Sequence, residues 1–239
     1  MKVLVTGAGG MLAQAVVPAL EGAGHTVVAH ARDTLDVTRL DDVRRAVAAA
    51  RPDWVCHLAA YTNVDGCETE VDHAFLVNGV GARNAAAAAH EAGAAILAVS
   101  TDYVFPGHEP TPRREYDPIG PVSVYGRSKW MGECGVRETN PRHAIVRTAW
   151  LYGRGGRNFV DTILTRARAG EALGPSQTLG RVVDCNHFQN VRAFLQNGQK
   201  GRQRAILREG VYSLNLAVFH VISEECVYAL HNDAKLAEW

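Results

Sequence analysis

The N-terminal residues of this chain constrain its fold more than any other segment. Apolar residues 3–5 run directly into Thr-Gly-Ala-Gly-Gly-Met-Leu-Ala at positions 6–13. This order predicts a strand, a tight turn and a helix start whose free N–H groups and positive dipole end attract an anion. Gly7 permits the turn, Gly10 lets the backbone approach a pyrophosphate, and Ala13 allows close helix packing. The predicted dinucleotide contacts are Gly7, Gly9, Gly10, Met11 and Leu12, and a purely structural turn is the alternative.

Apolar runs alternate with helical stretches up to about Leu173, which is typical of a doubly wound parallel α/β sheet of the Rossmann type. We therefore predict a Rossmann-like domain at 1–173. Residues 174–239 form an atypical segment, a small C-terminal substrate lobe whose completeness the sequence leaves open. The predicted strands are Lys2–Val5, Thr26–His30, Trp54–Leu58, Ala95–Val99 and His143–Arg147. The predicted helices are Met11–Glu21, Leu40–Ala50, Asp72–Glu91, Ser123–Glu138 and Asn158–Ala169.

Composition limits the classes of partner. The 239 residues carry 25 basic and 25 acidic side chains, so net charge gives no argument for nucleic-acid or membrane binding. No basic leader precedes a long apolar stretch, and the five cysteines are scattered and never spaced Cys-x-x-Cys. These patterns predict a cytoplasmic protein with reduced thiols. The ten histidines show no helical metal-ligand pairing, so we expect no metal site.

The segment after the second strand predicts which dinucleotide binds. Folds of this type place an acid there on the adenosine ribose, or a basic residue on a 2′-phosphate. Arg32 favours NADPH, and Asp33 beside it leaves NADH open. Asp36 and Val37 follow and are predicted to contact the adenine, with an exposed loop carboxylate as the alternative for Asp36.

Two later segments of the chain are also predicted to approach the cofactor. Ala59, Ala60 and Tyr61 follow the third strand, where small residues let the backbone lie along the ribose and diphosphate. Asn78 is a polar residue within an apolar helical stretch. It either contacts the cofactor or braces the neighbouring loop, and the sequence does not choose between these roles.

The strongest chemical signal is a phenol and an amine four residues apart. Tyr125 and Lys129 would project from one face of a helix into one cleft, where the ammonium is expected to lower the pKa of the phenol. Thr101 stands at the end of the fourth strand, the edge at which doubly wound sheets place their chemistry. Its hydroxyl can donate to a substrate carbonyl oxygen, although strand-end hydroxyls also form turns.

These motifs together resemble the extended short-chain dehydrogenase/reductases, and more narrowly the dTDP-4-dehydrorhamnose reductases. The glycine turn and Tyr-x-x-x-Lys belong to the superfamily at large. Ser-Thr-Asp-Tyr-Val-Phe at 100–105 and Arg-Thr-Ala-Trp-Leu-Tyr-Gly at 147–153 are the narrower signatures. The resemblance covers about residues 1–173, and the last quarter of the chain reads unlike a reductase tail.

The resemblance implies specific roles. Tyr125 would protonate the C4 carbonyl oxygen of a dTDP-4-dehydro-6-deoxysugar, Lys129 would bind the nicotinamide ribose, and Thr101 would hydrogen-bond the reacting oxygen. The implied cofactor is NADPH or NADH, and the product is dTDP-L-rhamnose or a related sugar nucleotide. A homodimer is one assembly compatible with this resemblance. The implied substrate-binding residues are Asp102, Tyr103, Val104 and Trp150.

Two other functions stay open at this stage. A non-catalytic NAD(P)-binding relative, regulatory or vestigial, would explain an unusual C-terminal segment. A nucleotide-sugar epimerase or dehydratase could use the same scaffold. Dehydratases usually place an acidic pair directly after the strand-end Thr, and Tyr103 after Asp102 disfavours that option.

Overall fold

A computed structural model gives the fold. It describes residues 1–107 and 113–149, positions 151, 153, 155, 156, 158, 162, 165, 168 and 169, and the backbone of 211–214. The strands are β1 (Lys2–Thr6), β2 (Thr26–His30), β3 (Trp54–His57), β4 (Ala95–Thr101), β5 (His143–Thr148) and β6 (Val211–Leu214). The helices are α1 (Ala13–Gly22), α2 (Leu40–Ala50), α3 (Val64–Thr69), α4 (Val71–Ala74), α5 (Gly81–Glu91) and α6 (Val124–Thr139). A π-helix spans Phe75–Val80 and a 3₁₀ turn spans Asp102–Val104.

The described strands form one parallel sheet in the order β2-β1-β3-β4-β5-β6. The chain passes from β1 outward to β2 and then returns to β3 on the other side of β1. The strand order therefore reverses between β1 and β3, and doubly wound sheets bind ligands in the crevice at the carboxyl ends of such strands. The predicted fold class is confirmed, and the five predicted strands lie within two residues of the observed ones.

Helices cover both faces of the sheet, because side chains along each buried strand alternate between two cores. One core takes Leu4, Val55, Ile96 and Ile145 from the strands and packs them against α2 and α5. The second core takes the neighbouring strand residues and packs them against α1. Its members include Val3, Val5, Val16, Leu20, Trp54, Cys56, Leu97 and Val146.

The helix predicted over Asp72–Glu91 is wrong as a single α-helix. The structure divides it into α4, the π-helix and α5. A π-turn adds a residue to the helical turn and often marks a functional position. Here it contains Asn78, whose buried amide bonds to groups outside its own helix. The change to π-helical geometry thus coincides with tertiary hydrogen bonds of Asn78, and the alanine run at 85–89 stays α-helical in α5.

The boundaries of the other predicted helices can be compared with the structure one by one. Helix α6 begins at Val124 because the Ser123 hydroxyl accepts from Gly126 N and so caps the helix. Of the predicted helix Asn158–Ala169, Thr162, Thr165 and Arg168 are helical, and much of the remainder lies outside the described residues. Among the described helices, none is both long and apolar enough to cross a membrane.

Helix α6 approaches the π-helix closely at Gly132. A Cβ atom built at this position would overlap the Asn78 carbonyl oxygen and press on the Ala82 side chain at 3.2 Å. The absence of a side chain therefore sets the distance between α6 and the element that carries Asn78. Gly22, at the end of α1, has no atom within 4 Å of an added Cβ.

We expect Gly132→Ala to lower the free energy of unfolding by about 1–3 kcal/mol, because the overlap outweighs the helix preference of alanine. Gly22→Ala is the matched control and should leave stability unchanged or slightly raised. Urea denaturation followed by circular dichroism measures both. Equal stability of the two variants would show that α6 can move away from the π-helix at little cost.

Candidate active site

The glycine turn lies at the switch point, between the carboxyl ends of β1 and β3. Gly7 has φ +71°, and a Cβ there would stand 2.6 Å from Ala59 N, so both conformation and space require glycine. Gly9 and Gly10 are exposed, and Gly10 N donates to Gly7 O at 2.9 Å. No side chain caps the start of α1, where Gln14 N and Ala15 N donate to the backbone carbonyls of Gly10 and Leu12.

This geometry fits a dinucleotide on the chemistry of its donors. Exposed glycine backbone, an uncapped helix N-terminus and a positive dipole end are what a pyrophosphate requires. Met11 is half-buried and Leu12 is buried, so Leu12 would contribute through its backbone rather than its side chain. The predicted residues 7 and 9–12 are therefore brought together in one turn.

Arg32 and Asp36 lie beyond the carboxyl end of β2. Ala8 N donates to His30 O at 2.9 Å, and a Cβ at Gly9 would lie 3.6 Å from the Ala31 Cβ, so the two turns are neighbours. Arg32 is exposed beside them. Asp36 accepts from Thr38 N at 3.0 Å and Thr38 Oγ1 at 2.7 Å, and the side-chain bond is the main reason that its pKa is lowered.

We predicted that Val37 contacts the adenine, but the structure places its side chain in the core. Its Cγ2 would lie 2.9 Å from a Cβ at Gly81, and its carbonyl oxygen accepts from Asn84 Nδ2 at 3.0 Å. The structure therefore uses Val37 to attach the β2–α2 loop to α5. An adenine contact by its side chain stays a prediction.

The loop after β3 is held by Asn78. Asn78 Oδ1 accepts from Tyr61 N at 2.8 Å, and Nδ2 donates to Tyr61 O at 3.0 Å and to Ser128 Oγ at 2.9 Å. Ser128 Oγ in turn donates to Tyr125 O at 2.8 Å. The buried amide thus connects the 59–61 loop to the helix that carries Tyr125 and Lys129. This geometry supports the loop-bracing alternative, and a direct cofactor contact by Asn78 stays a prediction.

Tyr125 and Thr101 meet at the carboxyl end of β4. Thr101 is buried, accepts from Tyr103 N at 3.2 Å and donates to Asp102 Oδ1 at 3.1 Å. A hydrogen bond also joins its side chain to the Tyr125 phenol. The Tyr125 ring meets the Tyr103 ring edge-on, with centroids 5.5 Å apart. The two predicted catalytic hydroxyls are therefore adjacent.

The expected effect of the ammonium on Tyr125 is not what the structure shows. Lys129 Nζ donates to Val99 O at 2.7 Å. Burial raises the pKa of Tyr125 well above its ordinary value, and the hydrogen bond with Thr101 only partly opposes this. Burial also lowers the pKa of Lys129 to about 8, which the negative charge of Glu133 opposes. The phenol is therefore protonated at neutral pH.

The residues that the resemblance implies for substrate binding differ in their exposure. Asp102 is half-buried, and Tyr103 is 43 % exposed next to Tyr125, as a substrate contact requires. Val104 is fully buried and its oxygen accepts from Gly120 N, so its side chain lies in the interior and its predicted substrate contact is not supported. Trp150 lies outside the described residues.

Sequence reasoning missed a buried polar group behind Lys129. Glu133 accepts from Ser100 Oγ at 2.6 Å and from Arg147 Nε and Nη2 at 2.8 and 2.6 Å. His57 Nδ1 lies 2.9 Å from Thr6 Oγ1, and burial, then the Lys129 charge, lower its pKa to about 3. Two features of the sequence could have indicated this cluster: Arg147 lies inside an apolar strand, and Glu133 follows Lys129 by four residues.

His57, Lys129 and Glu133 line one small cavity together with Ser100. His57 Nε2 is buried without a hydrogen-bond partner among the described atoms. The described residues hold no group of three or more His, Cys, Asp or Glu side chains arranged for a metal ion. The hydrogen bonds of the polar cluster converge on Glu133, whereas Lys129 Nζ donates to Val99 O.

Comparison with known proteins agrees with this arrangement. The model of the family described as RmlD substrate binding domain matches residues 1–174. A dTDP-4-dehydrorhamnose reductase of Streptomyces griseus is 51% identical over 187 residues, which are 78% of this chain and 59% of that protein. The spore coat polysaccharide biosynthesis protein SpsK of Bacillus subtilis is 43% identical over 172 residues, 72% of this chain and 61% of that protein.

Solved structures give the same result. The dTDP-4-dehydrorhamnose reductase of Bacillus anthracis, solved in complex with NADP, is 39% identical with a TM-score of 0.68. It matches 70% of this chain, and 60% of its own chain is covered. This chain thus spans about three fifths of the length of the relatives it matches. Since the family model matches well over half of the chain, the protein belongs to the family of the RmlD substrate-binding domain.

Proposed function

We propose that this protein reduces the C4 ketone of a dTDP-4-dehydro-6-deoxysugar, converting dTDP-4-dehydrorhamnose to dTDP-L-rhamnose, with NADPH or NADH as cofactor. The observation that carries the proposal is the adjacency of the Thr101 and Tyr125 hydroxyls at the edge of the sheet where the glycine turn also lies. Family membership and the reductase relatives support the same reaction. We keep 1–173 as the part for cofactor and catalysis, and 174–239 as an atypical segment that is a remnant or variant of the sugar lobe.

The chain's residues would divide the work as follows. The cofactor, when bound, supplies hydride to the carbonyl carbon. The Tyr125 phenol donates its proton to the carbonyl oxygen, and the raised pKa keeps this donor protonated at neutral pH. Thr101 Oγ1 hydrogen-bonds the same oxygen as negative charge develops there. Lys129 would exchange the Val99 carbonyl for the nicotinamide ribose hydroxyls.

Residues outside the reacting centre would hold the cofactor and the sugar substrate in place. Gly9, Gly10 and the start of α1 would bind the pyrophosphate through backbone N–H groups, and Arg32 would pair with a 2′-phosphate. Tyr103, exposed beside Tyr125, would contact the sugar, with Asp102 and Trp150 as further predicted contacts. A cytoplasmic location and a homodimer are kept as predictions.

A non-catalytic NAD(P)-binding relative is the second candidate. The observation that favours it is the end of the family match at residue 174, which leaves residues 175–239 outside the family model. The buried catalytic hydroxyls favour the reductase, because a binding protein has no use for a protonated phenol beside Thr101.

The test of function combines two measurements on the purified chain. Oxidation of NADPH by dTDP-4-dehydrorhamnose is followed by the loss of nicotinamide absorbance, and NADPH binding is followed by protein fluorescence. Turnover supports the reductase. Binding without turnover selects the second candidate, and absence of both contradicts the dinucleotide site.

Tyr125→Phe should lower turnover by at least about 100-fold, because the proton donor is lost, while NADPH affinity stays near the wild-type value. Steady-state kinetics and fluorescence titration measure the two quantities. Tyr116→Phe is the control, since Tyr116 is 75% exposed. A Tyr125→Phe enzyme with undiminished turnover would refute the proton-donor assignment.

Arg32→Ala should weaken NADPH binding by about tenfold or more and leave NADH binding almost unchanged, because only NADPH offers a 2′-phosphate to the guanidinium. Arg39→Ala is the matched control: Arg39 is also exposed after β2 but pairs with Asp42. Equal losses for the two cofactors would remove Arg32 from the 2′-phosphate site.

A further inference from the structure

The buried surroundings of Lys129 contain more positive than negative charge. Lys129 is 6% exposed and Arg147 is 1% exposed, and Arg137 reaches the same cluster from the helix surface. Glu133 is the carboxylate that pairs with both arginines among the described residues. An ammonium taken out of water loses hydration that a nearby negative charge must replace.

Glu133 is placed to act on Lys129 by helix geometry. The two residues are four apart on α6, so they project from the same face, and both line the small cavity behind the active site. Glu133 is 3% exposed, so its charge acts through a medium of low polarity rather than through water. The Glu133 charge therefore favours the ionised form of the lysine and opposes the larger effect of burial on the Lys129 pKa.

The carboxylate is fixed in position by its hydrogen-bond partners. Oε1 accepts from Ser100 Oγ and Arg147 Nε, and Oε2 accepts from Arg147 Nη2 at 2.6 Å and Arg137 Nη2 at 2.9 Å. Both oxygens are thus occupied by donors, two of them from a bidentate guanidinium. Ser100 and Arg147 are aligned on neighbouring strands, so the whole cluster is anchored to the sheet.

Titratable and charged groups face Lys129 from the elements packed around it. From β3 comes His57, which is neutral because burial depresses its pKa to about 3. From β5 comes the Arg147 cation, and from β4 comes the uncharged Ser100. On α6 itself, Tyr125 is protonated, and the charge of Asp102 acts on that phenol.

We propose that Glu133 is a positioning residue of the active site: clamped by Ser100 and Arg147, it supplies the fixed negative charge that keeps buried Lys129 an ammonium. Its consequence for the cofactor rests on the proposed function, because the ammonium is what would donate to the nicotinamide ribose. The lowered pKa of Lys129, about 8, places this charge close to being lost at physiological pH. Removal of Glu133 would therefore discharge the lysine in the working range.

The charge of Lys129 can be read directly, without cofactor or turnover. The chain has four lysines, Lys2, Lys129, Lys200 and Lys235, so carbon-13 labelling of their ε-carbons gives few NMR signals. Lys129→Met identifies the signal of interest. In the wild type its titration midpoint is expected at about pH 8. In Glu133→Gln the midpoint should fall by about one pH unit or more.

Ser100→Ala is the control, since it removes one hydrogen bond to the carboxylate while Arg147 still holds Glu133. Its Lys129 midpoint should stay near the wild-type value. An unchanged midpoint in Glu133→Gln overturns the proposal. If Glu133→Gln does not fold, the wild type decides, because a Lys129 midpoint well below pH 7 would show that Glu133 does not keep the lysine charged.

NADPH affinity gives a second readout. With its midpoint one unit lower, Glu133→Gln should bind NADPH about fivefold more weakly than the wild type at pH 8 and almost equally at pH 6. Equal weakening at both pH values would indicate a merely structural role and overturn the proposal. If the wild type itself binds no NADPH, the proposed function fails, and the NMR titration still decides the role of Glu133.

Discussion

The position of helix α6 depends on the buried ion pair between Glu133 and Arg147. This pair joins α6 to β5 and, through Ser100, to the end of β4. Breaking a buried pair by removing one partner typically costs about 3–5 kcal/mol, because a charge is left without compensation. Since Tyr125 and Lys129 stand on α6 and Thr101 stands on β4, the same pair sets the distance between the catalytic groups.

A second set of contacts fixes α6 against the cofactor side of the crevice. The Asn78 amide bonds to both backbone groups of Tyr61 and to Ser128, and Gly132 permits the close approach of α6 to the π-helix. The loop after β3 and the catalytic helix are thereby parts of one rigid frame. A nicotinamide lying along that loop would meet Tyr125 and Lys129 at a distance set by hydrogen bonds rather than by flexible side chains.

Burial of the reacting groups determines their protonation. The Tyr125 phenol stays protonated because its charged form is poorly solvated, and the same effect brings the ammonium of Lys129 close to neutrality. A protonated phenol suits reduction, in which the carbonyl oxygen must gain a proton. The proposed source of the charge that keeps the lysine ionised is Glu133, a residue of α6 that Ser100 and Arg147 hold against the sheet.

The sequence determined the fold class, the strand positions and the identity of the chemical groups, because apolar periodicity, the glycine turn and the Tyr-x-x-x-Lys spacing are local signals. Helix boundaries were partly accessible for the same reason, since the predicted starts and ends of α1, α2 and α6 lie within two residues of the observed ones. The π-helix could not be predicted from the sequence, since it depends on contacts of Asn78 with residues far away in the chain.

Only the tertiary structure decided how those groups are tuned. The burial of Val37 and Val104, the direction of the Tyr125 pKa and the bond from Lys129 to Val99 all follow from which elements pack together. The pairing of Ser100, Glu133 and Arg147 joins residues from three elements. Solvation and Coulomb interactions depend on distance in space, and spacing along the chain does not specify that distance beyond a single helix or strand.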